Sequence, residues 1–500
     1  MSVGTELSAS EAAALIPHGS TVAFSGFTAA GAAKAVPRAL AARAESEHHA
    51  GRPFRLRVLA GASTGPSVDE ALARADAIAF RAPYQSSKTL RQRINRGEVE
   101  FVDMHLSHVA QQLGQGVYGA IDWAVIEATE LSHDGKLYPT TSIGLSPTFC
   151  DQAARVVVEL NQAHHSRLRE MTDVVTLPLP PHRGVIPIEH PLTKIGQPFI
   201  QIDPAKIVGV VRTNEPDEAV ELAAPDEISR RIARHLVTFL LDQMACGRLP
   251  AGLPLQSGVG NVANAVLGEL GECPEFPPFL MYTEVYQDAL IDLMREGRCL
   301  GASASALAVG KPGLKAIYDD INFFASRIVL RPQEISNHPA VARQLGVIAM
   351  NTALEVDLYG HVNSTHVHGT DLMNGIGGSG DFERNAFLSF FMCPSVAKGG
   401  RISAIVPMCS HVDHNEHSVQ IVVTEHGLAD LRGLAPERRA ALLIERCAHP
   451  AYRDYLRGYL AGARSGHLRH DLGRAFELHR NLIEHGAMLP GLNLSEKAGS

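Results

Sequence analysis

The sequence predicts an α/β protein made of two tandem, related domains with parallel or mixed sheets. Three observations point there. The chain has 500 residues, well beyond the roughly 250–300 at which a single hydrophobic core stops growing. Its early segments alternate short apolar runs with glycine turns and helical patterns, the rhythm of strand, loop and helix. A faint repeat also relates the two parts: Glu130, Leu131, Gly135, Leu137, Thr140 and Gly144 recur as Glu355, Val356, Gly360, Val362, Thr365 and Gly369, all at one offset.

Taken in order, residues 21–27 read as a strand and 34–43 as the helix after it; residues 56–59 and 68–72 repeat the pattern across a glycine loop at 61–65. The runs at 123–127, 155–160 and 207–211 are Val/Ile-rich without alternation, as expected of parallel strands covered on both faces. Each copy of the repeat reads as a strand, a glycine turn, a short return strand and a Thr/Ser-rich loop. A later strand completes each copy, at 206–211 in the first and 401–406 in the second. The run Ala-Pro-Asp-Glu at 224–227 caps a new helix and sets the expected domains at 1–225 and 226–500. The second is denser in loop glycine, asparagine and histidine, so chemistry is expected to concentrate there.

Composition narrows the class. Apolar residues make up 45% and charged residues 20% of the chain, with 44 glycines and 29 prolines, ordinary globular usage with many connections. A net charge of -8 gives no broad cationic surface and argues against nucleic acid or membrane as partner. No run of about 18 apolar residues occurs. The 7 cysteines form no CxxC pair and read as idle thiols in a reducing compartment. The first nineteen residues carry Glu6 and Glu11 and no signal-like apolar run, so a cytoplasmic location is expected.

Several segments carry candidate chemistry. Residues 256–266 form a glycine turn leading into a helix, with Gly258, Gly260, Asn261 and Val262 at its start; exposed amides there suit a phosphate or a developing oxyanion. The spacing only loosely matches a dinucleotide fingerprint and lacks the acidic partner. The apolar and aromatic run 279–288 delivers Glu284 where the run turns polar. Residues 373–382 hold Asn374 and Gly378 among four glycines but no Walker lysine, and Lys398 sits beside Gly399 and Gly400. The histidines at 361, 366, 368, 411, 414 and 417, with Asp413 and Glu416, match no standard zinc spacing and read as loop residues bonding to backbone. No Gly-x-Ser-x-Gly elbow supports a serine hydrolase.

Together, residues 61–66, 256–266, 282–288, 336–339, 359–365, 374–382, 397–400, 410–414 and 424–434 resemble, in order and spacing, the acetyl-CoA hydrolase/transferase family, a branch of the class I CoA-transferases, with the nearest likeness to its succinyl-CoA:acetate CoA-transferases. The resemblance spans nearly the whole chain. It implies two tandem CoA-transferase-like (NagB/RpiA-like) domains, a homodimer, acyl-CoA and small carboxylates as partners, coenzyme A as substrate and covalent intermediate, and neither a metal nor a permanently bound cofactor. At matching positions it implies Glu284 as nucleophile, the amides of Val259 and Gly378 as oxyanion donors and Asn337 as the active-site amide. Coenzyme A contacts are implied at Gly258, Val259, Gly260, Asn261, Val262, Asn374, Gly378 and Lys398. A hydrolase acting through the same glutamate is the alternative, and Tyr282 and Tyr286 are expected to help exclude water from it.

Overall fold

A computed structural model describes residues 4–219 and 224–492. Its framework is two sheets of one design. From one edge, the first runs Thr5–Glu6, Ile207–Thr213, Ala153–Asn161, Ile121–Leu131, Thr21–Phe24, Leu56–Ala60, Ile78–Ala82 and Glu100–Phe101, with every neighbour parallel. The second runs Gly427–Asp430, Ile421–Thr424, Leu388–Met392, Ile348–Thr352, Leu255–Ser257, Phe279–Tyr282, Cys299–Ala304 and Ile328–Leu330, parallel except for the edge strand Gly427–Asp430. Apart from the opening edge strand Thr5–Glu6 of the first, the chain in both starts at the centre, works out to one side, returns to the centre and works out to the other. A doubly wound sheet of this kind leaves a crevice at the carboxyl ends of its two central strands.

The strands form where the sequence packs β-branched and aromatic residues. Thr21–Phe24, Ile328–Leu330 and Leu388–Met392 are buried at every position, as unbroken apolar runs require when helices cover both faces. The helix after residue 226 begins as read: Asp226 caps Glu227–Ala245 by accepting from the Ser229 amide at 2.8 Å. Its face of Ile232, Leu236 and Leu240 joins an apolar cluster that also takes Ile121 and Val156 from the first sheet and Leu255 and Phe390 from the second.

The repeat is structural in its hairpin. Leu131 pairs with Leu137 in the first half and Val356 with Val362 in the second. Gly135 and Gly360 take φ of 79° and 96° in the turns, a region side chains disfavour. The later strand of the repeat needs correction. Residues 401–406 form only Ile402–Ser403 and Ile405–Val406, paired in small side sheets. The counterpart of Ile207–Thr213 by sheet position is Ile421–Thr424. The second half diverts its chain through these side sheets before returning to the main one, and a similarity confined to the hairpin could not reveal the detour.

Backbone pairing stitches the halves together. Ile143 donates to Ser305 O at 3.0 Å, Leu307 to Thr141 O at 2.8 Å and Gln333 to Gly144 O at 3.0 Å. Beside this seam Arg331, fully buried, pairs with the equally buried Asp173 and donates to Ser303 Oγ at 2.8 Å, Pro191 O at 3.0 Å and Thr193 O at 2.6 Å. The replacement Arg331→Met strands the Asp173 carboxylate without its partner in a dry interior. It should cost about 3–5 kcal/mol, read as a lowered urea midpoint by the fluorescence of the single tryptophan, Trp123.

Candidate active site

Glu284 sits in the break between strands Phe279–Tyr282 and Val285–Gln287, where the apolar run ends. Its carbonyl accepts from the Ser305 amide at 2.8 Å, which fixes the backbone on the seam. The side chain lines a cavity of about 360 Å³, with walls from both halves: Phe27, Ser63, Tyr84 and Leu106 from the first, and Val259, Asn351, Asn374 and Gly378 from the second. The cavity opens at the second sheet's crevice, since Gly258 follows Leu255–Ser257 and Asn351 and Thr352 end Ile348–Thr352, its two central strands.

Two donors face the carboxyl. Asn337 Nδ2 lies 2.5 Å from Glu284 Oε1. That amide is fully buried, and Ser336 Oγ donates to its Oδ1 at 2.8 Å, so its NH₂ is turned to Glu284. The second donor is the Gly378 amide. A Cβ on Gly378 would stand 1.6 Å from Glu284 Oε1 and 2.2 Å from Asn337 Nδ2, so glycine is required for close approach rather than for backbone freedom. Burial pushes the Glu284 pKa up to about 7, against the pull of Asn337 and Gly378. Across the cavity, burial together with the nearby Glu284 and Asp103 charges pushes Tyr84 up to about 12. The Val259 amide donates to no group among the described residues, while Gly258 N is bound to Met350 O at 2.9 Å.

The glycine loop is aimed by the first half. Asp103 accepts from the Ile376 amide with both oxygens at 2.9 Å. Gln85 Nε2 donates to Met373 O at 3.1 Å and Arg91 Nη2 to Asn374 Oδ1 at 2.9 Å. Asp381 accepts from Ser107 N at 3.0 Å and Oγ at 2.5 Å, and burial pushes its pKa up to about 7 in spite of these bonds. Asn337 Nδ2 thus lies between two carboxyls, since Asp381 Oδ2 is 3.5 Å away.

Of the sequence candidates, Glu284, Asn337, Gly378, Val259, Gly258 and Asn374 come together here. Gly260 caps helix Asn261–Glu272 at φ 128°, with Asn261 exposed and Val262 packed inward; none of the three lines the cavity. Lys398 sits at φ 49° in the turn between strands Val396–Ala397 and Ile402–Ser403, also outside the lining. Tyr282 and Tyr286 do not face Glu284 either. Both are fully buried, and the Tyr282 hydroxyl donates to Ile335 O at 2.6 Å. Strand geometry turns them into the core, leaving Phe27, Tyr84, Leu106 and Ile376 as the larger nonpolar groups around the carboxyl.

Sequence reasoning missed Tyr84, Asp103, Ser107 and Asp381. The first three follow strands Ile78–Ala82 and Glu100–Phe101, and the rule that ligands gather at the carboxyl ends of parallel strands was the signal for them. The loop histidines expected to bond to backbone meet carboxylates instead, with His361 Nδ1 2.9 Å from Asp357 and His411 Nε2 3.2 Å from Asp413. Among the described residues, the one group spaced to hold a metal is the buried set Glu127, His164 and Asp217. Lys34 Nζ already supplies its positive charge, 2.6 Å from Glu127 and 3.2 Å from Asp217.

The fold is shared with a solved 4-hydroxybutyrate CoA-transferase from Porphyromonas gingivalis (20% identity, 91% of this chain and 96% of that one, TM-score 0.61) and with RipA from Yersinia pestis (22%, 91% and 96%, TM-score 0.69). The architecture is therefore one on which CoA-transferases are built. Residues 5–212 match the acetyl-CoA hydrolase/transferase N-terminal domain and residues 313–460 its C-terminal domain. The chain is 55% identical over 486 residues to a propanoyl-CoA:succinate CoA transferase of Escherichia coli (97% of this chain, 99% of the relative) and 44% identical to a succinyl-CoA:acetate CoA-transferase of Clostridium kluyveri (96% and 90%). It is 41% identical to an acetyl-CoA hydrolase of Schizosaccharomyces pombe (95% of each). The chain belongs to the acetyl-CoA hydrolase/transferase family and is an enzyme.

Because a methyl group at 378 collides with both Glu284 and Asn337, Gly378→Ala should lower kcat by about 10²–10³ while circular dichroism stays unchanged. Undiminished turnover would remove the Gly378 amide from the reaction.

Proposed function

We propose that the enzyme moves coenzyme A between short acyl-CoA thioesters and carboxylates by a ping-pong route through a thioester on Glu284, with succinyl-CoA and acetate as the favoured pair. The observation that carries this reading is the Glu284 carboxyl, enclosed in the cavity and met by Asn337 Nδ2 at 2.5 Å and by the Gly378 amide.

A carboxylate is a weak nucleophile toward a thioester, so its reactivity must come from placement, where effective molarities of about 10⁵–10⁸ M are reached. Glu284 attacks the acyl carbonyl, forming an acyl-glutamyl anhydride and releasing the thiolate of coenzyme A. The thiolate then attacks the glutamyl carbonyl, the first acid leaves as a carboxylate, and the Glu284 thioester remains. A second carboxylate attacks that thioester and the same steps run in reverse. Each tetrahedral stage carries an oxyanion, and the amides of Val259 and Gly378 are the donors for it. Asn337 holds the carboxylate and, through Ser336, keeps its orientation during the exchange. Asn374 and the segment from Gly258 to Val262 attend the coenzyme, with Lys398 for its phosphates. One thioester replaces another, so no redox change is needed.

A second reading is hydrolysis, favoured by the likeness to the acetyl-CoA hydrolase of Schizosaccharomyces pombe; it uses the same glutamyl intermediate with water as acceptor. The test is intact-protein mass after incubation with succinyl-CoA or acetyl-CoA, then borohydride reduction and peptide mapping. A CoA-sized adduct reduced at Glu284 supports the covalent intermediate common to both readings, and discharge of that adduct by acetate rather than by water supports transfer. Thiol release with no adduct and no dependence on acceptor acid would replace transfer by direct hydrolysis.

Two further outcomes follow from this chemistry. Glu284→Ala should lose turnover yet still bind coenzyme A, and Glu284→Asp, one methylene short, should be severely slowed; near-normal rates in either would sink the nucleophile. The nucleophile is the ionised form, and its pKa is raised to about 7. Adduct formation in single-turnover experiments should therefore rise with pH through about 7 and level off above it, whereas a flat profile between pH 5.5 and 8.5 would contradict the assignment.

A further inference from the structure

The cavity around Glu284 has a second compartment beside it. Thr28, Ser63, Ser86 and Val259 line both spaces, and the second holds about 550 Å³, within the usual range for small-molecule pockets. The two ends of the combined space differ in charge. At the end formed by the glycine loop, bare backbone and Asn374 meet the guanidinium of Arg91, which donates to Asn374 Oδ1 at 2.9 Å. The other compartment is walled by Ala29, Pro66, Ala308 and Pro312 and by the carboxylates of Glu70, Glu218 and Asp288; among the described residues lining it there is no lysine or arginine.

Fixed donors hold these carboxylates in place. Glu70 accepts from Ser87 Oγ at 2.5 Å, Thr89 Oγ1 at 2.6 Å and the outward-lying Arg74 Nε at 2.8 Å, and against its burial these bonds bring its pKa down to about 2. Glu218 accepts from Ser67 N at 2.9 Å and Oγ at 2.7 Å, and Asp288 accepts from Gly310 N at 3.0 Å. On the same wall Gln287, only 3% exposed, donates Nε2 to Gly258 O at 2.9 Å and leaves Oε1 without a partner among the described residues, as does Asn264 Oδ1. With Glu70 paired to Arg74, the wall offers acceptors and the negative charge of Glu218 and Asp288, which repel a phosphate or a second carboxylate and suit an alkyl or hydroxylated chain.

We propose that this compartment receives the tail of the acyl group and filters it by charge: acids with uncharged tails longer than four carbons are accepted, and dicarboxylates of the same length are refused. The inference rests on the CoA-transfer reading of Glu284. The thioester then lies across the site with its coenzyme toward Asn374 and Arg91 and its acyl tail toward Glu70, Glu218 and Asp288. Succinate remains a substrate under this filter if its distal carboxylate ends at Thr28, Ser63 and Ser86, which line both compartments, before the acidic wall.

The test compares hexanoate with adipate, equal in length and different in distal charge, as acceptors from acetyl-CoA with the full-length enzyme. The expected result is a kcat/KM about a hundredfold higher for hexanoate. Glu218→Gln, which keeps a bond to Ser67 and removes a charge, should narrow that gap about tenfold. Ala308→Leu, which fills part of the compartment, should lower the hexanoate-to-acetate ratio about tenfold. Equal use of adipate and hexanoate, or use of acetate with none of hexanoate, overturns the filter. So does an Ala308→Leu enzyme whose KM for acetyl-CoA rises alike with every acid, since the compartment would then hold the pantetheine arm. Absence of CoA transfer to acetate itself in the unmodified enzyme would instead overturn the transfer reading beneath it.

Discussion

The site depends on one close approach, a glutamate oxygen laid against a backbone amide with no side chain between them. Glu284 Oε1 occupies the space that a Cβ on residue 378 would need. Water is displaced from the carboxyl by this contact and by Asn337, so burial opposes ionisation and the two donors oppose burial. The outcome is a carboxyl poised near neutrality instead of a fully solvated, unreactive anion.

That approach is held from both halves of the chain. The strand break carrying Glu284 is pinned to Ser305, and Ser305 in turn accepts from Ile143 of the first half. The glycine loop opposite is held at Ile376 by Asp103 and at Asp381 by Ser107. Neither half has the site alone. The second supplies the Glu284 carboxyl and the amides, and the first aims the loop that carries one of those amides. The buried Arg331–Asp173 pair beside the seam gives the same joint an electrostatic fastening, whose value lies in holding geometry more than in net stability.

The two sheets share a winding order but not a chemistry. At the centre of the first half, the corresponding region is filled by Lys34, Glu127, His164 and Asp217, all buried and mutually compensated. A buried charge set that neutralises itself leaves nothing to engage a substrate, whereas the second half leaves amides and one carboxyl facing an open cavity. The resemblance between the halves was legible at the hairpin glycines, where positive φ restricts the residue type. It was not legible in the later strands, because β-branched runs are interchangeable and do not reveal which sheet they join.

By itself the sequence determined the α/β class, most strand runs, the cap at Asp226 and the family resemblance, because each is written in local composition, periodicity or contiguous motifs. Tertiary structure alone decided which residues face Glu284. Tyr282 and Tyr286 stand two positions to either side of it and point into the core, whereas Tyr84, Asp103 and Ser107, about two hundred positions earlier, meet the site or hold its loop. The physical reason is that a doubly wound sheet gathers the carboxyl ends of distant strands at one crevice. Which loops meet there follows from the packing of one sheet against the other, and no short-range pattern in the chain encodes it.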